Sequence, residues 1–298
     1  MNGKTVVITG GTSGIGQAAA EQLARRGARI VLVARDPARA EATLGRLRRI
    51  APDAGHALHL ADLSRLHEMQ RVGVTISETE AKVDVLINNA GAWFHDRVET
   101  EDGFEITFAL DHLSYFVLAH ALRGPLSAAS PSRIVNTSSV GHRFAALDWT
   151  DLQSRNDYRG FKAYCRAKLC NVLFTREIAR RLSGFGVTAN CFHPGFVASR
   201  FGDNNGGVRK LGFGLAKSLV AITPETGAAT LVYLASAPEL VDRSGGYYAK
   251  CKPVEPSRRA RDDAAARRLW DLSAEMTRVG PGAPGCTPVR QSARVGPR

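Results

Sequence analysis

A glycine-rich turn between a strand and a helix, near residue 10, limits the possible folds more than any other feature. The β-branched run TVVIT at 5–9 leads into TGGTSGIG at 9–16, and the helical pattern IGQAAAEQLARRG follows. Gly10, Gly14 and Gly16 leave the backbone bare where a pyrophosphate would approach, and free N–H groups at the helix start would face that anion. The spacing is GxxxGxG rather than GxGxxG. The turn predicts a nucleotide site, and the alternative is a bare turn.

Short β-branched runs alternate with longer helical patterns along most of the chain. The runs are TVVITG at 5–10, ARIVLVAR at 28–35, VDVLINNAG at 83–91, SRIVNTSS at 132–139 and GVTANCF at 186–192. Near-continuous apolar runs indicate strands buried on both faces, as in a parallel sheet covered by helices. The pattern predicts one doubly wound α/β domain of the Rossmann type, with a mostly parallel sheet, over residues 1–277. Residues 278–298, rich in glycine, proline and arginine, are predicted to be a disordered basic tail.

The net charge and the cysteines narrow the range of partners. The formal net charge is +12, but the arginines are scattered over helical segments and aromatic residues make up only 7% of the chain. Without a basic stripe of interleaved aromatics, no nucleic-acid partner is predicted. No run of about 18 apolar residues predicts a membrane span, and the first strand begins too early for a signal peptide, which favours the cytoplasm. Five cysteines without a CxxC pair indicate reduced thiols and no metal site.

The end of the second predicted strand, VLVARDPARAE, indicates which dinucleotide is bound. An acidic residue at this place accepts hydrogen bonds from a free ribose 2′-hydroxyl, whereas an arginine pairs with a 2′-phosphate. Arg35 therefore favours NADP(H) over NAD(H). Asp36 precedes Pro37 and suits the N-cap of the next helix, which would turn its carboxylate away. The alternative is that Arg35 is one of many surface arginines.

The stretch AYCRAK at 163–168 places a tyrosine and a lysine one helical turn apart. On a helix, Tyr164 and Lys168 share a face. Reduction of a carbonyl needs a proton on oxygen as well as a hydride on carbon, and a nicotinamide cofactor supplies only the hydride. A tyrosine, with a pKa of about 10, is a better acid–base catalyst when a nearby cation stabilises its phenolate. The pair fits proton transfer, and the alternative is a snorkelling surface pair.

Four motifs in this order make the chain similar to the short-chain dehydrogenase/reductase family: TGGTSGIG at 9–16, NNAG at 88–91, SS at 138–139 and YCRAK at 164–168. Four further segments resemble the retinol dehydrogenase-like branch of this family: TEDGFE at 100–105, AYCRAKLCNVLFTREIARRL at 163–182, HPGFV at 193–197 and SGGYYAKCKPVEPS at 244–257. Nucleotide-sugar epimerases fit less well, since their glycine motif is shifted and their chains are longer. The resemblance covers residues 1–277 and implies hydride transfer between NADP(H) and a carbonyl or alcohol substrate.

The resemblance also implies roles for individual residues. Tyr164 would be the general acid and base, Lys168 would also hydrogen-bond the nicotinamide ribose, and Ser139 would orient and polarise the substrate oxygen. The residues predicted to contact the cofactor are Gly10, Thr12, Ser13, Gly14, Ile15, Gly16, Arg35, Asp62, Leu63, Asn89, Ala90, Gly91, Tyr164, Lys168, Pro194, Gly195 and Val197.

Some of these cofactor contacts have a structural alternative. Asp62 and Leu63 of ADLS would border the adenine, and the NNAG residues Asn89 and Ala90 would pass the cofactor ribose. Phe196 and Val197 would lie near the nicotinamide carboxamide. Each of these residues suits packing at a strand end as well.

The chain departs from the family pattern at one catalytic position. The family has an asparagine that opens an NHLGHF-like stretch, whereas this chain reads FALDHLSYF at 108–116, so Asp111 stands in its place and Ser114 replaces a glycine. The family asparagine is associated with a water that links the lysine to solvent. Aspartate accepts hydrogen bonds but cannot donate them, and its charge offsets the field of Lys168 on Tyr164. Asp111 is therefore expected to raise the tyrosine pKa and to favour reduction.

The segment after HPG predicts how the substrate is covered. FGDNNGGVRKLGFGLAKSLVAITPE at 201–225 begins with glycines and polar residues and continues as an apolar run, which suits a lid over residues 198–223. With Trp93, Phe94, Phe144 and Phe196 close to the motifs, a lipophilic or polycyclic substrate is expected, although these aromatics also suit a core.

Two further functions and the assembly state stay open. A non-catalytic NADP-binding module that senses redox state is the second candidate, motivated by Asp111. A binder of membrane surfaces or nucleic acid, acting through the net charge of +12, is the third, and no dedicated element supports it. The sequence leaves open a homo-oligomer, the substrate and the direction of the reaction.

Overall fold

An eight-stranded sheet in the order β3–β2–β1–β4–β5–β6–β7–β8 runs through the computed structural model, which describes residues 1–195 and 222–280. The strands are β1 (Thr5–Thr9), β2 (Arg29–Ala34), β3 (Ala57–Leu60), β4 (Val85–Asn88), β5 (Ser132–Thr137), β6 (Val187–Phe192), β7 (Tyr247–Ala249) and β8 (Lys252–Pro253). Neighbouring strands pair in parallel except β7 and β8, which are antiparallel. The strand order reverses between β1 and β4, where open α/β sheets bind ligands beyond the carboxyl ends of the strands.

Helices connect the strands and cover both faces of the sheet. They are α1 (Gly14–Arg25), α2 (Pro37–Ile50), α3 (Leu66–Thr79), α4 (Ile106–Phe108), a π-helical turn (Ala109–Leu113), α5 (Ser114–Ala121), α6 (Arg123–Ala128), α7 (Gly160–Arg181), α8 (Pro224–Ser236) and α9 (Asp263–Thr277). Short 3₁₀ helices span Pro52–Ala54, Val140–Phe144, Pro238–Leu240 and Arg258–Arg261. Capping side chains define several of the helix starts: Asp36 accepts from the Arg39 amide, and Asp262 accepts from the Ala265 amide.

Two apolar cores lie on opposite faces of the sheet. On one face, side chains of α1 and α8 such as Leu23 and Leu231 pack against the strands. On the other face, side chains of α3, α5, α7 and α9 do so, among them Met69, Phe116 and Leu169. Alternate residues of each central strand supply both cores, which explains why these strands read as unbroken apolar runs. The predicted doubly wound α/β fold is confirmed.

The strands that the sequence predicts are present, and three others were not predicted. Each predicted run contains one strand, in β1, β2, β4, β5 and β6. β3, with sequence ALHL, is only partly buried, and β7 and β8 have three and two residues, so none of these three forms a long apolar run. The predicted lid lies outside the described residues except for 222–223, and so does the predicted tail beyond 280.

Residues 1–195 and 222–280 contain no predicted membrane span and four cysteines. No helix there combines the length and the apolar character that crossing a bilayer requires. Cys165, Cys170 and Cys191 are buried free thiols, and Cys251 is a partly exposed one. Location in the cytoplasm stays a prediction.

Candidate active site

Ser139 lies just beyond the carboxyl end of β5 and begins a short helix. Its backbone is extended, with φ −152°, and its Oγ accepts a hydrogen bond from the Gly141 amide, which caps the 3₁₀ helix Val140–Phe144. A Cβ on Gly141 would lie 3.0 Å from the Cys165 Sγ and 3.7 Å from the Tyr164 ring. The absence of a side chain at Gly141 therefore lets the serine loop pack closely on α7.

Tyr164 projects from the first turns of α7 towards this serine. Its side chain is half-buried and is hydrogen-bonded to the Ser139 side chain. Burial raises the pKa of the Tyr164 phenol well above its usual value, the Ser139 hydrogen bond opposes this rise, and the Asp111 charge adds to it. The phenol is therefore held in its protonated form.

Lys168 lies one turn further along α7 and forms a buried ion pair. Its Nζ lies 2.8 Å from Asp111 Oδ2, and the two side chains are only 3% and 0% exposed. The same Nζ lies 5.5 Å from the centre of the Tyr164 ring and 5.7 Å from that of Tyr115. The family asparagine at this position is associated with a water beside the lysine, whereas here the Asp111 carboxylate is in direct contact with the ammonium group.

Local backbone structure brings Asp111 to this position. Asp111 lies in the π-helical turn, and its Oδ1 accepts a hydrogen bond of 2.8 Å from the Ala92 amide. The Asp111 carbonyl accepts from Asn171 Nδ2, which also bonds to the Thr137 carbonyl at the end of β5. A Cβ on Gly91 would lie 2.9 Å from Asp111 Oδ2. Only glycine at position 91 leaves room for the carboxylate.

Opposing influences act on the Asp111 carboxyl. Burial raises its pKa, while the Lys168 ammonium group and the Ala92 amide favour the charged form. Each carboxylate oxygen faces a buried hydrogen-bond donor, one an amide and the other an ammonium group. An asparagine would place an NH₂ group against one of these donors.

The glycine turn between β1 and α1 fits a dinucleotide phosphate. Gly10 and Gly14 have φ of +65° and +51°, which glycine adopts without strain. A Cβ on Gly16 would lie 2.2 Å from the Gly10 carbonyl oxygen. Ser13 makes no side-chain capping bond, and the first turn of α1 contains no acidic residue. The first amides of this helix are thus available to an anion, as a bound pyrophosphate requires.

The residues after β3 and β4 that are predicted to contact the cofactor also stabilise the fold. Asn89 Nδ2 donates to the carbonyls of Thr9 and Gly10, and its Oδ1 accepts from Thr137, so it links β1 to β5. Leu63 is only 5% exposed and packs in the core. Asp62 accepts from the Ser64 amide and hydroxyl. These side chains therefore have structural roles at the strand ends, which was the alternative to cofactor binding. Their contact with a cofactor stays a prediction.

Arg35 is exposed directly after the last residue of β2. The neighbouring Asp36 has a structural role instead. Its carboxylate caps α2 and accepts hydrogen bonds from the amide and the Nε of Arg39, which lowers the pKa of Asp36. The predicted capping role of Asp36 is confirmed. Arg35 is left as the charged side chain directly at this strand end.

The other predicted cofactor residues lie along the same edge of the sheet. Thr12, Ser13 and Ile15 are half-buried in the glycine turn, Ala90 is half-buried and Gly91 exposed after β4, and Pro194 and Gly195 follow β6. Phe196 and Val197 lie outside the described residues.

Three residues that complete the site were not predicted from the sequence. Tyr115, in the same FALDHLSYF stretch, is buried and donates from its hydroxyl to the Ala90 carbonyl at 2.9 Å. Asn171 holds the Asp111 carbonyl, and its position three residues after Lys168 on a helix was an available signal. His142 is buried behind Ser139 and donates from Nδ1 to the Ser139 carbonyl at 2.7 Å.

Comparisons with known proteins agree with this geometry. Residues 4–207 match the family model described as short chain dehydrogenase. Human retinol dehydrogenase 14 is 41% identical over 292 residues, covering 93% of this chain and 87% of its own. Human retinol dehydrogenase 13 is 42% identical over 291 residues, covering 95% and 86%.

Solved structures show the same fold. An uncharacterized protein from Mycobacterium paratuberculosis is 31% identical with a TM-score of 0.75, covering 93% of this chain and 94% of its own. The Pseudomonas aeruginosa RhlG/NADP active-site complex is 27% identical with a TM-score of 0.65, covering 83% and 94%. With the serine, tyrosine and lysine assembled beside a dinucleotide turn, the chain belongs to the short-chain dehydrogenase/reductase family, as a carbonyl and alcohol oxidoreductase similar to the retinol dehydrogenases.

Proposed function

We propose that this protein is an NADP(H)-dependent reductase of lipophilic aldehydes or ketones, with Tyr164 as the general acid. The observation that carries the proposal is the buried Asp111–Lys168 ion pair beside a half-buried tyrosine. The Asp111 charge offsets the lysine field that would otherwise stabilise a phenolate. Tyr164 therefore stays a phenol over a wide pH range, which is the form that reduction requires.

The catalytic residues divide the proton chemistry among them. A nicotinamide dinucleotide, when bound, supplies the hydride for the carbonyl carbon. The Tyr164 hydroxyl donates its proton to the carbonyl oxygen as negative charge develops there. The Ser139 hydroxyl, fixed by its bonds to Gly141 and Tyr164, polarises the same oxygen. Lys168 holds positive charge near the phenol after the proton has left, and Asp111 limits how strongly it does so.

The preference for NADP(H) rests on Arg35. Its guanidinium group is exposed at the end of β2, and Asp36 is engaged in capping α2. A guanidinium group pairs with a 2′-phosphate through charge-assisted hydrogen bonds. The related Pseudomonas aeruginosa RhlG structure is a complex with NADP, which is consistent with this preference.

Exposed apolar side chains around the site support a lipophilic substrate. Phe144 is 74% exposed on the short helix that follows Ser139, and Phe161 is 57% exposed on the first turn of α7. The Phe161 ring centre lies 6.4 Å from that of Tyr164. An apolar molecule that covered these rings would remove them from water. The relatives named retinol dehydrogenases support the same substrate class.

The test is NADPH oxidation, followed by absorbance, against a panel of polyene aldehydes, aromatic ketones and short hydrophilic aldehydes. We expect turnover of the lipophilic members, and a fall in kcat of at least about a hundredfold in Tyr164→Phe with NADPH affinity changed by only a few-fold. Tyr233→Phe, on α8 at the opposite face of the sheet, is the matched control and should keep full activity.

Two outcomes would contradict the proposal. Retained activity in Tyr164→Phe would remove the tyrosine from its role. NADPH binding without turnover of any carbonyl or alcohol would favour the redox-sensing module instead.

A further inference from the structure

An open cavity of about 770 Å³ lies next to the catalytic serine loop. It is formed where the 3₁₀ helix Val140–Phe144 meets the segment between β8 and α9. The described residues that line it are Arg143, Ser257, Arg258, Arg259, Arg261 and Asp262. The cavity is therefore surrounded mainly by guanidinium groups.

Within the part of the chain that the structure describes, little negative charge compensates these arginines. Arg143 donates to the Glu255 carbonyl and Arg259 to the Ala145 carbonyl, so both are bonded to neutral groups and keep their full charge. Arg261 is the member that pairs with a carboxylate, that of Glu255. Asp262 is engaged in capping α9. A guanidinium group has five N–H donors, so most donors around the cavity have no partner among residues 1–195 and 222–280 and can bind an anion.

A hydrogen-bonded histidine connects the cavity to Ser139. His142 Nδ1 lies 2.7 Å from the Ser139 carbonyl, and its Nε2 lies 3.1 Å from the Ser257 amide. A carbonyl only accepts and an amide only donates, so the imidazole is neutral with its proton on Nδ1. The cavity wall at Ser257 is thus joined to the catalytic serine through one buried side chain.

The short helix after Ser139 also joins the cavity to the apolar surface of the site. Arg143 lines the cavity, while Val140 and Phe144 on the same helix are exposed apolar residues, 47% and 74% accessible. A molecule with its carbonyl at Ser139 could lie along the apolar side chains and reach the arginines with its other end.

We propose that this cavity binds an anionic group of the substrate, so that the preferred substrate is a lipophilic aldehyde or ketone bearing a carboxylate or phosphate. The inference rests on the proposed function, since it names the substrate class of that site. The arginines would bind the anionic oxygens, and the apolar side chains would bind the connecting chain.

The first test compares aldehydes of matched chain length that end in a methyl, a carboxylate or a phosphate group. In wild type, the anionic aldehydes should have the lower KM, and added salt should raise their KM alone. Arg258, an exposed lining residue, is changed to Gln and to Glu. The ratio of KM for the anionic to the neutral aldehyde should rise about threefold to tenfold in Arg258→Gln and further in Arg258→Glu.

A matched control and a measurement without turnover separate the inference from the proposed function. Arg49→Gln removes the same charge from an exposed position on α2 and should leave the ratio unchanged. Calorimetric titration with a fatty carboxylate and the corresponding alcohol requires no catalysis, and only carboxylate binding should weaken in Arg258→Glu. If no aldehyde is turned over but this difference persists, the proposed function fails and the anion site stands.

Two results would overturn the inference. One is an equal KM for neutral and anionic aldehydes together with equal binding of carboxylate and alcohol. The other is a loss of sedimentation with phosphatidylserine vesicles in Arg258→Glu at an unchanged KM ratio, which would assign the arginines to a lipid surface.

Discussion

Replacing Asp111 by asparagine tests the electrostatic basis of the proposed direction. The change removes a buried negative charge that lies 2.8 Å from Lys168 Nζ, which in turn lies 5.5 Å from the centre of the Tyr164 ring. These distances place the carboxylate within about 8 Å of the ring, where Coulomb's law with an effective dielectric of about 20 gives roughly 2 kcal/mol. The phenolate should become easier to form by that amount.

The assay is the pH profile of alcohol oxidation by wild type and Asp111→Asn. Oxidation needs the phenolate, so its rate rises with pH as Tyr164 loses its proton. Removing the carboxylate should move this rising limb to lower pH by about one to one and a half pH units. Reduction, which uses the phenol, should show no comparable gain at neutral pH.

The same variant should also be less stable, since the amide cannot accept from both the Ala92 amide and the Lys168 ammonium group. Breaking a buried ion pair from one side typically lowers the free energy of unfolding by about 3–5 kcal/mol. Glu105→Gln is the matched control: Glu105 is also a buried carboxylate, but it caps α4 through the Thr107 and Phe108 amides. It should lose stability without moving the limb. A limb that stays in place or moves upward in Asp111→Asn would refute the electrostatic role of Asp111.

Three further changes test the cofactor preference, the packing beside Asp111 and the pH dependence of stability. Arg35→Ala should reduce the preference for NADP over NAD, measured as a ratio of dissociation constants, by about tenfold to a hundredfold, with exposed Arg48→Ala as control; an unchanged ratio means that another residue binds the 2′-phosphate. Gly91→Ala should lower the free energy of unfolding in urea by about 1–3 kcal/mol, because its Cβ would displace the Asp111 carboxylate, and wild-type stability would contradict the tight packing. Burial lowers the pKa of His112 from 6.5 to about 4. Between these two pH values the unfolded chain therefore binds a proton at this histidine and the folded chain does not. Stability should fall by up to about 3 kcal/mol from this group as the pH drops from 6.5 to 4, less steeply in His112→Gln, and parallel curves would exclude the effect.

The sequence predicted those parts of the fold that depend on long buried runs. β1 and β2 are unbroken apolar segments, and burial on both faces leaves them few other structures. β7 and β8 were missed because strands this short are formed by pairing with β6 and with each other, which a local pattern does not encode.

The sequence predicted which residues form the site more fully than it predicted their contacts. Ser139, Tyr164 and Lys168 come together as expected, since motif spacing on a known type of fold determines their positions. The direct contact between Asp111 and Lys168 depends on a π-helical turn and on the space that Gly91 leaves, and neither follows from spacing alone. His142 was not predicted either, because its partner Ser257 is distant in sequence and local spacing does not show the contact.

The close fit of Gly91, Asp111 and Lys168 makes these positions epistatic. A side chain at 91 is compatible only with a smaller or displaced group at 111, and the group at 111 decides whether a buried ammonium at 168 has a counter-ion. Energetic effects at sites in contact are not additive, so each single exchange with a relative is expected to be harmful even where the joint exchange is tolerated. A chimaera that takes its NNAG loop, its FALDHL segment or its α7 from a related enzyme should therefore recover activity only when all three pieces come from the same parent.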